Sequence, residues 1–163
     1  MCADSGQAVV SAMTSNNVGD DEAMVQMMGA LEGTPIGDVI GDGAYDTVDC
    51  RAAVYDLGER QVIPPDKNAV MQKGQKLPAL QERDQAINRI QEGGEEGRAR
   101  WKQEIGYHRR SRVETLMFRY KTIVGEKLMS RKEKTQATEV RIKREVLNRM
   151  TELGMPKSYK VTS

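Results

Sequence analysis

Apolar positions along the first third of the chain come in short runs, and further on they recur every three or four residues. QAVVSAMTS (7–15) is β-branched and partly alternating, the pattern of a strand. NNVGD supplies turn residues, with Asp20 or Asp21 as a helix cap. EAMVQMMGAL (22–31) then predicts a helix whose Met24, Met27, Met28 and Leu31 share a core-facing side, and GTP ends it. IGDVIGDG (36–43) reads as a short buried strand with Asp42 at its C-terminal end. TVDCRAAVYDLGE (47–59) predicts an amphipathic helix, with Cys50, Ala53, Val54 and Leu57 inward and Gly58 as its stop. QVIPP (61–65) is another short strand, closed by two prolines. A strand–helix–strand run implies parallel pairing through a helical crossover.

Residues 66–78 read as a loop. A helix is expected over 79–91, broken by EGGEEG (92–97), and a second helix starts near 98. It is expected to be resumed or continued through 107–125, with Val113, Leu116, Met117, Tyr120 and Val124 on the apolar stripe. The last helix is expected over 134–153, burying Val140, Val146, Leu147, Met150 and Leu153, with GMP as its terminus. The fold class is therefore α/β, a small sheet flanked by helices.

The 163 residues suffice for one domain with a core. Mean hydropathy is -0.63, and no run of apolar residues is long enough for a membrane span. MCADSGQ lacks the basic and apolar regions of a secretory leader, so a cytoplasmic protein is expected. Cys2 and Cys50 lack metal-site spacing and are expected to stay reduced. Charge is distributed unevenly. Residues 1–60 carry two basic and eleven acidic side chains, and residues 61–163 carry twenty-three and thirteen. The basic part suits a polyanion such as DNA, or else consists of solvated helix faces.

Within YHRRSRVETLMFRYK (107–121), a continuous helix would bring Tyr107, Arg110, Glu114 and Lys121 into an arc of about 60°. The plain reading is a set of surface ion pairs around Glu114, worth about 0.3–0.5 kcal/mol each. The alternative is that Glu114 binds a divalent cation while the bases hold phosphate. Asp42 favours the alternative. Ligands of α/β sheets gather at the carboxyl ends of strands, and Gly41 and Gly43 permit close approach there. Asp42 could equally cap the next turn, although Asp46 is better placed to cap the helix at 47.

GDGAYDT (41–47), VIPPDKNA (62–69), YHRRSRVETLMFRYK and ELGMP, in that order, resemble the C-terminal part of bacterial insertion-sequence transposases of the DDE class. That family's Y-x2-R-x3-E-x6-K motif is met by Tyr107, Arg110, Glu114 and Lys121. The resemblance runs from about residue 8 to residue 157. It implies a ribonuclease H-like core in which two Asp and one Glu bind Mg²⁺ or Mn²⁺. Asp42 would be the second Asp and Glu114 the Glu, both catalytic and both metal ligands. Tyr107, Arg110 and Lys121 match residues that steady the DNA backbone. The implied reaction is phosphodiester hydrolysis at an element's end, followed by attack of the freed 3′-hydroxyl on target DNA. The implied partners are double-stranded transposon ends and target DNA, bound by an assembly of copies in the bacterial cytoplasm at the nucleoid. The first Asp belongs on a strand upstream of Asp42. Asp4 in CADSG is the candidate at hand, yet its surroundings resemble the turn after the second strand. The expectation is thus that 1–163 is a partial catalytic domain, lacking the first strand and any N-terminal DNA-recognition domain, and inactive alone.

Other residues carry less. His108 sits among Arg109, Arg110 and Arg112, where phosphate contact and simple solvation are equally open. Trp101 suits a core or hinge role better than base stacking. Lys67 faces DNA or is an ordinary loop residue, and Arg141, Lys143, Arg144 and Arg149 read as the wet face of the last helix. Besides the transposase reading, a non-catalytic DNA-binding remnant and a structural interaction module remain open.

Overall fold

A computed structural model describes residues 1–15, 17–74 and 76–154. The chain divides into two compact units, a sheet unit of Thr14–Arg110 and a helical unit of Met1–Met13 with Ser111–Ser163.

The sheet unit begins with helix α1 (Asp20–Gly29), whose N-cap is Gly19. Asp20 and Asp21, expected as caps, lie instead in the first helical turn, where their charge favours the positive end of the helix dipole. The rest of the expected NNVGD turn includes Asn16, outside the described residues. Strand β1 (Asp38–Ile40) is followed by a 3₁₀ turn at Gly43–Tyr45, helix α2 (Val48–Asp56) and strand β2 (Arg60–Val62). β1 and β2 pair in parallel, with Asp38 opposite Arg60 and Ile40 opposite Val62. The strand–helix–strand reading thus holds. Gly58 ends α2's final turn at φ 76°, a conformation that favours glycine.

Met24, Cys50, Val54 and Ile63 form the centre of the core, with Val25, Met28, Val39 and Tyr45 packed around them. The methionine face of α1 therefore does pack inward, led by Met24. The outer edge of β2 is closed by α3 (Gln81–Glu92), where a Glu82 carboxylate oxygen accepts the Gln61 backbone N–H at 2.6 Å. α4 (Gly97–Glu104) buries Trp101, as the core reading of that residue anticipated. A 3₁₀ turn at Gly94–Glu96 separates the two helices. A Cβ on Gly97 would fall on the Ile90 carbonyl, so the α3–α4 corner has room for glycine only.

The expected single helix over 107–125 is three kinds of helical turn in succession. Tyr107–Arg110 is 3₁₀, α5 (Ser111–Arg119) is α-helical, and Tyr120–Val124 is a π turn. A uniform rotation of about 100° per residue therefore does not apply along the motif, since 3₁₀ turns advance by about three residues. The preceding Gly106 has φ 72° and separates this run from α4.

The predicted strand at 7–15 carries no regular secondary structure and has no strand partner among the described residues. The backbone of Ala8 and Val9 is bonded instead by side chains of α6 (Glu133–Glu152). Asn148 accepts the Ala8 N–H at 2.8 Å and donates to the Ala8 carbonyl at 2.9 Å, and Arg144 donates to the Val9 carbonyl. An amide side chain presents the same donor and acceptor as a neighbouring peptide, so it can replace one rung of a ladder. Leu147 is buried, whereas Val146, Met150 and Leu153 are exposed, against expectation. Val113 and Met117 of α5 are exposed as well. Met155 and Pro156 of the expected terminus lie outside the described residues.

The link into α6 is pinned by one ion pair. Glu139 accepts the N–H groups of Met129 and Ser130 at 3.0 and 2.9 Å and meets Lys143 at 3.3 Å. Lys143 also donates to the carbonyls of Gly125 and Lys127. Hydrogen bonds from the Met129 and Ser130 backbone lower the Glu139 carboxyl from its ordinary 4.5 to about 2.

Two predictions follow from this packing. Gly97→Ala overpacks the α3–α4 corner and should destabilise the sheet unit by about 1–3 kcal/mol in urea unfolding, read by Trp101 fluorescence. Because folding depresses the Glu139 carboxyl, its contribution is whole above pH 4.5 and declines as pH falls towards 2. Protection of the Met129 and Ser130 amides from hydrogen exchange should fall across that window, and Glu139→Gln should flatten the profile.

Candidate functional site

The candidate site begins at the carboxyl tip of β1. Gly41 leaves the strand with its N–H on the Val62 carbonyl at 3.3 Å. A Cβ there would press on Tyr45 and Ile63 at 3.1 and 3.3 Å, so the glycine lets the chain turn tightly against the core. Asp42 follows and caps the 3₁₀ turn, Oδ1 accepting the Ala44 N–H at 3.0 Å. Its Oδ2 accepts Nη2 of Arg110 at 3.0 Å, both side chains about one-third exposed. The chain thus joins two residues selected from its sequence, the acid of the strand tip and the arginine of the Tyr107–Lys121 motif.

A second arginine reaches the same sheet. Arg109 Nη1 meets Asp38 Oδ2 at 3.1 Å, while Arg60 clasps Asp38 with two bonds of 2.7 and 2.8 Å. The Arg60 hydrogen bond is the main reason that the Asp38 carboxyl titrates below its ordinary range. The 3₁₀ turn at Tyr107–Arg110 therefore presents consecutive guanidinium groups to the first residue of β1 and to the cap of the turn that follows it. Tyr107 lies under the Lys102 ammonium, 4.8 Å from its ring centre. Burial raises the Tyr45 hydroxyl above its ordinary value, and the Asp20 and Asp42 charges add to that effect.

Beneath this surface lies a network that sequence reasoning missed. Asp46 was expected to cap α2, but the Thr47 hydroxyl does so, accepting the Cys50 N–H at 3.2 Å. The Asp46 side chain, 2% exposed, is turned inward to Arg51 at 2.7 Å and Arg83 at 3.0 Å. Its other oxygen accepts the Asp66 N–H at 2.7 Å. Arg51, itself buried, donates to Gln61 Oε1 and to the Ile63 carbonyl, each at 2.9 Å. Gln61 in turn donates to the Arg51 and Ala79 carbonyls. Burial lowers the Arg51 pKa, and the Asp46 charge opposes that shift. One signal was available: Arg51 and Arg60 are the two basic residues among the first sixty, and each is matched to an acid of β1 or of the loop after it.

The remaining motif residues belong to the helical unit. Glu114 stands on the exposed side of α5. Lys121, in the π turn, pairs with Glu126 at 2.8 Å on the surface. Lys67 and His108 are exposed, and Cys2 and Cys50 are free thiols. Arg141 and Arg149 are exposed as expected, whereas Lys143 and Arg144 are half-buried and bonded to backbone carbonyls. Among the described residues no three of His, Cys, Asp and Glu cluster as a metal site. No described helix is long and apolar enough to cross a membrane.

A family model described as the transposase DDE domain matches residues 1–148. The chain belongs to that family. DNA transposition is the function that membership points to, with DNA as the substrate class it implies. The match takes in Asp42, Tyr107, Arg110, Glu114 and Lys121, and also the Asp46–Arg51 network. No solved structure matches the chain.

Two of the sheet unit's ion pairs, Arg51–Asp46 and Arg60–Asp38, should differ sharply in weight. Asp46→Ala leaves the Arg51 guanidinium buried without its carboxylate and should cost about 3–5 kcal/mol in urea unfolding. Arg60→Ala, which breaks a half-exposed pair, should cost under about 1 kcal/mol.

Proposed function

We propose that residues 1–163 belong to one catalytic domain, ribonuclease H-like in fold, of an insertion-sequence transposase acting on DNA in the bacterial cytoplasm. The observation that supports this reading best is the pairing of Asp42 with Arg110. An acid at the tip of a parallel strand is joined to a base of the Y-x2-R-x3-E-x6-K motif, in a chain of the DDE family.

Asp42 and Glu114 are the carboxylates that would hold Mg²⁺ or Mn²⁺. The donor chemistry fits such an ion. A carboxylate has about four acceptor positions, and Asp42 spends one per oxygen on Ala44 and Arg110. Mg²⁺ is commonly held by one or two carboxylates, with waters and substrate phosphate completing its shell. When bound, the ion supplies an acidified water and polarises a phosphoryl oxygen.

The chain's own groups do the positioning. Arg110 offers its guanidinium to a backbone phosphate beside the strand tip, a planar fork suited to two oxygens. Tyr107 and Lys121 add a hydroxyl and an ammonium for neighbouring phosphates. The buried Asp46–Arg51–Gln61 network keeps the β1 and β2 ends in register beneath them. Hydrolysis at an element's end frees a 3′-hydroxyl, and that hydroxyl attacks target DNA.

A second reading, DNA binding without catalysis, draws on the Arg110–Asp42 pair, in which the acid already has a cation. Metal uptake and DNA retention measured separately distinguish the two. On the catalytic reading, Mn²⁺ binding followed by electron paramagnetic resonance weakens at least about tenfold in Asp42→Asn and in Glu114→Gln. DNA retention should persist in both and fall steeply with added salt. DNA held with no Mn²⁺ uptake by the unmodified chain supports the second reading, and uptake indifferent to Glu114→Gln would refute the first.

A further inference from the structure

Asp42 already holds a cation that belongs to the chain itself. Its Oδ2 accepts Arg110 Nη2 at 3.0 Å, while Oδ1 accepts the Ala44 N–H. Both side chains of the pair are about one-third exposed, so water screens the pair and a competing charge can reach it. The neighbouring arginine is fastened differently. Arg109 bonds Asp38, an acid that Arg60 grips with two further bonds. The Arg109 N–H also donates to the Gly106 carbonyl at 3.2 Å. The Tyr107–Arg110 turn is therefore tied to β1 through Arg109, and the Arg110 side chain can leave Asp42 without the turn unwinding.

We propose that Arg110 is a latch on the metal site, a placeholder cation that a divalent ion displaces from Asp42 and that then serves a DNA phosphate. This role rests on Asp42 being a metal ligand, as proposed for the site. Asp42 keeps lone pairs beyond its two hydrogen bonds, so lack of room on the oxygens does not force the exchange. Charge does. A guanidinium and a divalent ion on one carboxylate lie a few ångströms apart with like sign, and water screens that repulsion only in part. The singly charged partner, on a long side chain, is the one that yields. A planar fork released at the strand tip suits two oxygens of one phosphate. Each ligand thereby prepares the site for the other. An ion releases the arginine, and a phosphate that draws the arginine away clears the acid. Such coupling is reciprocal. A partly exposed pair is worth a factor of about two to five, and the closed latch lowers the apparent metal affinity of the DNA-free chain by that factor.

Mn²⁺ titration of the full chain without DNA, followed by electron paramagnetic resonance, tests the latch. Arg110→Gln should bind Mn²⁺ about two- to fivefold more tightly than the unmodified chain. A purely structural arginine would leave that affinity equal or lower. Arg60→Gln removes an equal charge from Asp38 at the far end of β1 and should leave the affinity unchanged. In ¹⁵N spectra of the arginine side chains, Mg²⁺ should shift the Arg110 resonance and spare that of Arg109. Mn²⁺ binding that is lost in Asp42→Asn yet equal or weaker in Arg110→Gln overturns the latch and leaves Asp42 a metal ligand. So does an Arg110 resonance that bound Mg²⁺ does not move. Equal tightening in Arg60→Gln assigns the effect to net charge and also overturns the latch. No Mn²⁺ uptake by either the unmodified chain or Arg110→Gln overturns the metal reading and the latch together.

Discussion

Everything in the sheet unit depends on one buried charge pair. Arg51 reaches from α2 to the Gln61 side chain of β2 and to the Ile63 carbonyl just beyond it, while Asp46 balances its charge. Through these two side chains the loop after β1, the helix α2, the strand β2 and the IPPD segment become one object. A two-stranded sheet of three-residue strands is too small to be stable from ladder bonds alone. Its apolar floor supplies the burial, and the Asp46–Arg51–Gln61 set fixes which loop conformations are compatible with it. The loop that bears Asp42 and Asp46 is thus held from below by side chains that are themselves buried.

That dependence clarifies which parts were legible in the sequence. The β1–α2–β2 unit was, because short apolar runs bounded by Gly58 and by Pro64–Pro65 allow few alternatives. The 7–15 segment was not. β-branched residues record a preference for extended backbone, and whether extended backbone becomes a strand is decided by the neighbour. Here the neighbour is Asn148, a side chain some 140 residues away in sequence. The 107–125 run fails for a related reason. Periodicity distinguishes helix from strand but is nearly blind to a change from 3₁₀ to α to π winding within one run.

The site divides in the same way. The position of Asp42 just past a parallel strand was readable from the strand–helix–strand pattern, and its ion pair with Arg110 links two separately chosen residues. The inward turn of Asp46 was unreadable because Thr47 competes for the same capping position, and the hydroxyl wins when the carboxylate has two guanidinium partners. Amphipathicity told which faces of α5 and α6 are apolar. It carried no information about what covers them, which is why Val113, Met117, Val146 and Met150 were expected to be buried.

The carboxylate of Glu82 on the Gln61 N–H makes the sheet a one-way template. Any additional strand arriving at β2 would have to displace an anion from a short hydrogen bond before forming its first rung. The β2 margin is thereby sealed against adventitious pairing, including the edge-to-edge stacking that leads to aggregation.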